Sequence, residues 1–229
     1  MSRKTIYFPH NSLMFTVLVL ILVAVIGLIF LGVVGTAFKD VGFTPAIIVL
    51  ILAGTFVGSY VNIPVLKVKT VKPITEEKYV NFLGVVYRIP KVGFGEATTV
   101  VAVNFGGAVV PSLVSFYLLW RLPSTIIYAL VGVTVVALVT HVVARPVKGV
   151  GITTPILISP IVAAVLAYVL PSGAPRVIAY VSGVLGTLIG ADLSNLRAIP
   201  ELGAPVASIG GAGTFDGVFL SGIIAVLLA

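Results

Sequence analysis

Gly186 to Gly222 reads GTLIGADLSNLRAIPELGAPVASIGGAGTFDGVFLSG, and its two aspartates decide how the chain is understood. Asp192 and Asp216 each sit in a segment otherwise apolar enough to cross a bilayer. A charged group near mid-membrane costs roughly 2.5–3.5 kcal/mol on insertion scales, so such residues face a protein interior or a wet cavity and mark a functional site. A short turn around Arg197-Ala-Ile-Pro-Glu201 joins the two segments, so the acids can meet on adjacent antiparallel helices.

Composition sets the frame for that pair. Of 229 residues, 59% are hydrophobic and only 9% charged, with a mean hydropathy of +1.22. A soluble domain needs a polar surface, so this chain reads as an integral membrane protein with one membrane domain, residues 1–229. With no cysteine and two histidines, His10 and His141, thiolate chemistry is excluded and no metal or other cofactor is expected. The net charge of +7 lies between apolar segments. It is therefore read as topology rather than nucleic-acid binding. The expected partners are membrane lipid and a transmembrane peptide substrate, with no nucleic acid.

Seven spans are expected, at about 13–38, 44–64, 98–120, 124–144, 152–170, 177–196 and 206–229. Between the second and third, Leu66-Lys-Val-Lys-Thr-Val-Lys72 alternates with period two, and Tyr79 to Ile89 is β-branched and aromatic. Residues 65–96 are read as a β-hairpin outside the bilayer, with a plain solvated connector as the alternative. The fold expected is thus an all-α integral membrane bundle carrying one small cytoplasmic hairpin. Alternating the spans from a cytoplasmic N-terminus leaves eleven Lys and Arg inside, against Lys39, Arg121 and Arg176 outside. That bias favours N-in, C-out in a multi-pass cell-membrane protein. Asp192 then lies about 6 Å from the inner end of span six at the helical rise, and Asp216 about 15 Å into span seven.

Several other residues are drawn into the candidate site. Asn195, three after Asp192, shares its face on a regular helix. Gly210, Gly211 and Gly213 weaken the first turns of span seven before Thr214-Phe215-Asp216-Gly217. Ser194 and Thr214 are candidates to support water. Asn104, in the Asn104-Phe-Gly-Gly-Ala-Val-Val-Pro111 break, either caps that break or lines a cavity. His141 either is an interfacial polar residue or joins the acids, and Asp192 has Arg197 as a rival partner. Gly54-x-x-x-Gly58 and Gly186-x-x-x-Gly190 are packing devices.

Two carboxylates within hydrogen-bonding range share a proton and titrate as a pair. One can then activate water while its protonated partner polarises a carbonyl. Intramembrane peptide hydrolysis by Asp192 and Asp216 is the leading expectation. A proton- or ion-coupled transporter using the same acids and broken helices is the rival, and a non-catalytic scaffold is the third reading.

The arrangement resembles presenilin-type intramembrane aspartyl proteases, the GxGD class. The carrying residues are Asp192 in span six and Gly211-Ala-Gly-Thr-Phe-Asp216 in span seven. The resemblance implies a cytoplasmic N-terminus, acids toward the cytoplasmic side of helices six and seven, and a supporting role for Gly211 and Gly213. Two residues separate Gly213 from Asp216 where that class has none, and Ala191 precedes Asp192 where an aromatic residue is expected. The class's later helix with its Pro-Ala-Leu element has no match after span seven in this sequence, and Pro64-Val65-Leu66, at the inner end of span two, is the one substitute considered. As a whole, the chain looks like an uncharacterised family of multi-spanning prokaryotic membrane proteins.

Overall fold

Among the described residues the protein has seven apolar helices and two small sheets. The structure, a computed structural model, describes residues 12–82, 85–147, 151–199, 204–211 and 216–229. The helices are α1 (Ser12–Asp40), α2 (Pro45–Gly58), α3 (Val110–Arg121), α4 (Ile126–Val143), α5 (Ile158–Val169), α6 (Pro175–Thr187) and α7 (Gly217–Leu228). Three helical stretches are long and apolar enough to cross a membrane: Met14–Asp40, Pro123–Val143 and Pro175–Ala198. The other four are shorter. A twelve-residue helix such as α5 or α7 is about 18 Å long at the helical rise, against about 30 Å of hydrocarbon.

Strands take up parts of the chain expected to be helical, and this corrects the all-α expectation. β1 (Asn62–Phe82) and β2 (Val85–Asn104) form an antiparallel hairpin running from Asn62↔Asn104 to Phe82↔Val85, with a register shift between Pro64 and Leu66. It is longer than the expected 65–96. β5 (Val206–Ile209) adds parallel to β2, pairing Val100↔Val206 through Val103↔Ile209. A second hairpin pairs β3 (Arg145–Val147) with β4 (Gly151–Thr153).

Three expected spans are corrected accordingly. Thr98 to Asn104 of span three is strand, and helical structure starts with a π-turn at Phe105–Val109. Ile152 and Thr153, at the start of span five, belong to the strand Gly151–Thr153, and Pro160 falls in the first turn of α5, where no intrahelical N–H is lost. Val206–Ile209 in span seven is strand. Each of these runs is rich in β-branched residues, and a short buried strand has the same apolar signature as a helix. Span two also ends earlier than 64, at Gly58.

Successive helices reverse direction, which gathers the connections at two ends. At one end Arg121 Nη1 donates to the Gly42 carbonyl (2.9 Å) and Arg176 pairs with Asp40 (3.8 Å). At the other end lie the sheets. α6 is the central helix, with every residue from Val177 to Val184 buried. Tyr180 packs against Phe38 of α1, with centroids 5.8 Å apart, and Phe38 against Phe219 of α7 at 6.2 Å. Most of α1 before Val34 is exposed apolar surface.

Both glycine pairs are contact points. A Cβ on Gly58 would fall 2.9 Å from the Gly106 nitrogen, and one on Gly186 would fall 2.6 Å from the Val136 side chain. One on Gly190 would overlap the Ala137 carbonyl. Backbone cannot retract as a flexible side chain does, so Gly190→Ala is expected to destabilise the α4–α6 contact by about 1–3 kcal/mol, the usual cost of overpacking. Thermal denaturation in detergent or nanodiscs checks this, with Gly27→Ala, at a position with open space around it, as the silent control.

Candidate functional site

The first half of the site is a break in α6. After Thr187 the helix widens into a π-turn, Leu188–Asp192, and then tightens into a 3-10 stretch, Leu193–Ala198. π-bulges of this kind recur at functional sites, and the carbonyls they free need donors in an apolar setting. Asn195 Nδ2 donates to the carbonyls of Gly190 (3.1 Å) and Ala191 (2.8 Å), and Ser194 Oγ to that of Ile189 (2.8 Å). Both side chains are thus spent on the break itself.

The second half is the turn from β5 into α7. Gly210 and Gly211 have φ of +81° and +83°, left-handed backbone that glycine adopts without a Cβ penalty. Close contacts reinforce the requirement. A Cβ on Gly210 would strike Ala108, one on Gly107 would strike the Gly210 carbonyl, and one on Gly211 would strike the Asp216 carboxylate. Asp216 is the N-cap residue of α7 but makes no capping hydrogen bond through its side chain. This corrects its expected place about ten residues into a helix. Its carboxylate folds back over Gly211 instead.

The two halves meet at one hydrogen bond, in which Gly210 N–H donates to Asp192 Oδ2 (2.6 Å). That bond, rather than an ion pair with the exposed Arg197, is Asp192's partner. Asp192 and Asp216 both line a cavity of about 400 Å³, Asp192 bonded to Gly210 and Asp216 lying over the adjacent Gly211. Hydroxyls complete the polar wall. Thr187 Oγ1 donates to Ser221 Oγ (3.0 Å), Ser159 pairs with Thr140 (2.9 Å), and Ser208 faces the cavity from β5. The volume accommodates several waters beside the acids, at about 30 Å³ each. Chemically, the cavity offers one carboxylate held by a backbone donor and a second with no capping bond of its own.

Of the residues expected at the site, Asp192, Asp216, Gly211 and Gly217 line this cavity. Asn195 does not, because its amide turns back on α6. His141 lies on the exposed surface near Asn195, with Nδ1 3.5 Å from its Nδ2. Asn104 is fully buried and caps the π-turn, its Oδ1 accepting from Gly107 N–H (2.7 Å). Gly213 and Thr214 lie outside the described residues, as do the basic Arg3, Lys4 and Lys148. Thr187, Ser221, Ser159 and Ser208 were not singled out from sequence. Thr187 stands five residues before Asp192 and Ser221 five after Asp216, but hydroxyls recur throughout the apolar helices, so the spacing alone does not mark them. Among the described residues no group of His, Asp and Glu could hold a metal ion.

A family model described as a protein of unknown function, DUF1614, matches residues 56–228. The match takes in the long hairpin, both acids and every helix from α3 onward. No curated protein and no solved structure matches the chain.

The glycine geometry separates two neighbouring substitutions. Gly211→Ala forces a left-handed alanine and displaces the Asp216 carboxylate, so a loss of about 1–2 kcal/mol from the backbone alone is expected. Gly217→Ala meets open space and should leave the melting temperature unchanged. Differential scanning of the two variants in the same detergent reads the contrast.

Proposed function

The chain belongs to the DUF1614 family, and we propose from its acid site that it is an intramembrane aspartyl peptidase. The observation that carries this reading is the convergence of Asp192 and Asp216 on one turn and one polar cavity, from separate segments of an apolar chain. In the proposed reaction one acid is ionised and the other protonated. The ionised acid takes a proton from water as the oxygen attacks the peptide carbonyl carbon, and the protonated acid gives its proton to the carbonyl oxygen. The tetrahedral diol then collapses: the C–N bond breaks, the nitrogen takes the proton that the first acid gained from water and leaves as an amine, one diol hydroxyl returns its proton to the second acid, and a carboxylic acid remains. No cofactor is invoked. The likeness to the GxGD class rests on sequence, since Gly213 lies outside the described residues.

The topology proposed with it is seven passes, N-in and C-out, which puts the acids and the long hairpin on the cytoplasmic side. Its support is the basic residues of the hairpin at the sheet end and the reversal of direction from helix to helix. The absence of cysteine makes this simple to test. Single cysteines at Lys39 and at Lys67 should react with a membrane-impermeant maleimide from opposite sides of oriented vesicles.

A second reading has its own support. α3, α5 and α7 are short helices preceded by a strand and a turn at the same end of the bundle, the build of ion-coupled transporters with broken helices. Two experiments separate the readings. Asp192→Asn and Asp216→Asn should each reduce cleavage of a reconstituted transmembrane peptide at least a thousandfold while circular dichroism and melting stay as in the wild type. Cleavage retained by either variant removes the peptidase. Proton-driven uptake into proteoliposomes, lost in the same variants, would favour the transporter.

A further inference from the structure

Asp192 holds its place through Gly210, and Gly210 is itself held from two sides by one pair of asparagines. Asn62 and Asn104 are Cα partners at the bundle end of the long hairpin. Asn104 is fully buried, and its Nδ2 donates to the Ser59 carbonyl (2.7 Å) and to Asn62 Oδ1 (3.2 Å). Asn62 Oδ1 also accepts from Ser208 Oγ (2.7 Å), across 146 positions of sequence. Ser208 stands on β5, two residues before Gly210. On the other side, Asn104 Oδ1 fixes Gly107 N–H (2.7 Å), and Gly107 packs directly on the Gly210 carbonyl. The strand before Gly210 and the carbonyl after its Cα are therefore tied to the same asparagine pair.

We infer that Asn62 is a positioning residue for the acid site, holding β5 so that the Gly210 N–H meets Asp192. It touches neither acid and acts through Ser208. The polarity of the chain is fixed, because an amide oxygen only accepts. Ser208 therefore gives its one proton to Asn62 and presents lone pairs to the cavity. A donor-bearing guest, such as water or a peptide N–H, is what that face of the cavity accepts. The placement of Gly210 stands on geometry alone, and its catalytic consequence rests on the peptidase reading.

The test uses the full chain in nanodiscs and dicyclohexylcarbodiimide, an apolar reagent for membrane carboxyls, with modification of Asp192 and Asp216 followed by mass spectrometry. Asn62→Leu removes the acceptor, whereas Asn62→Asp keeps it on an exposed side chain. Asn62→Leu should raise the rate at Asp192, relative to Asp216, by about two- to tenfold, the range one hydrogen bond commands. Ser208→Ala should match it, the double variant should go no further, and Asn62→Asp should restore the wild-type rate. If Asn62→Leu fails to fold, Ser208→Ala and Asn62→Asp carry the comparison. An unchanged rate at Asp192 in Asn62→Leu or Ser208→Ala overturns the inference, as does equal disturbance by Asn62→Leu and Asn62→Asp. In a cleavage assay Asn62→Leu should lower kcat with KM held. A rate change at Asp192 in a protein that cleaves no peptide would sink the peptidase and leave the positioning role standing.

Discussion

The Gly210 N–H to Asp192 bond is the interaction on which the rest of the site depends. It joins two interruptions of helical structure, the π-turn in α6 and the strand–turn–helix leading into α7. In a hydrophobic setting each interruption exposes backbone groups that cost several kcal/mol if left unpaired. Pairing one break against the other satisfies a donor of the turn with the carboxylate of the break. The same bond sets Asp192 beside Asp216, since Gly210 and Gly211 are adjacent and Asp216 lies over Gly211.

Small residues make this approach feasible. Gly58 meets Gly106, Gly107 meets the Gly210 carbonyl, and Gly190 meets Ala137. At each point two backbones come closer than any side chain would permit, as is common where small residues replace hydrophobic collapse as the source of packing. Polar side chains then close the remaining valences: Asn104 on one π-turn, Asn195 on the other. Both asparagines are structural in the ordinary sense, but they stabilise breaks, and the breaks are what the acids need.

The strands join the site to the long hairpin. Among the described residues four apolar helices are shorter than an ordinary bilayer crossing, and strands or turns precede three of them. β5 is paired along one edge by β2, and Thr99 Oγ1, buried at the join, donates to the Ala204 carbonyl (2.7 Å). The cavity wall at β5 is in this way an extension of the long hairpin. That links the acids to residues more than a hundred positions earlier.

The sequence by itself determined the membrane class, the reading of Asp192 and Asp216 as the residues to explain, the hairpin after α2, and the glycine contacts. Each follows from composition or local period: apolar length, charge in an apolar run, alternation of two, spacing of four. Tertiary structure alone decided that Thr98–Asn104 and Val206–Ile209 are strands, that Asn195 and His141 stand apart from the acids, and that Ser208 lines their cavity with Asn62 bonded behind it. A short β-branched apolar run fits helix and strand equally well until a partner strand is present. A side chain's direction after a π-turn likewise depends on where the neighbouring helix allows the backbone to go.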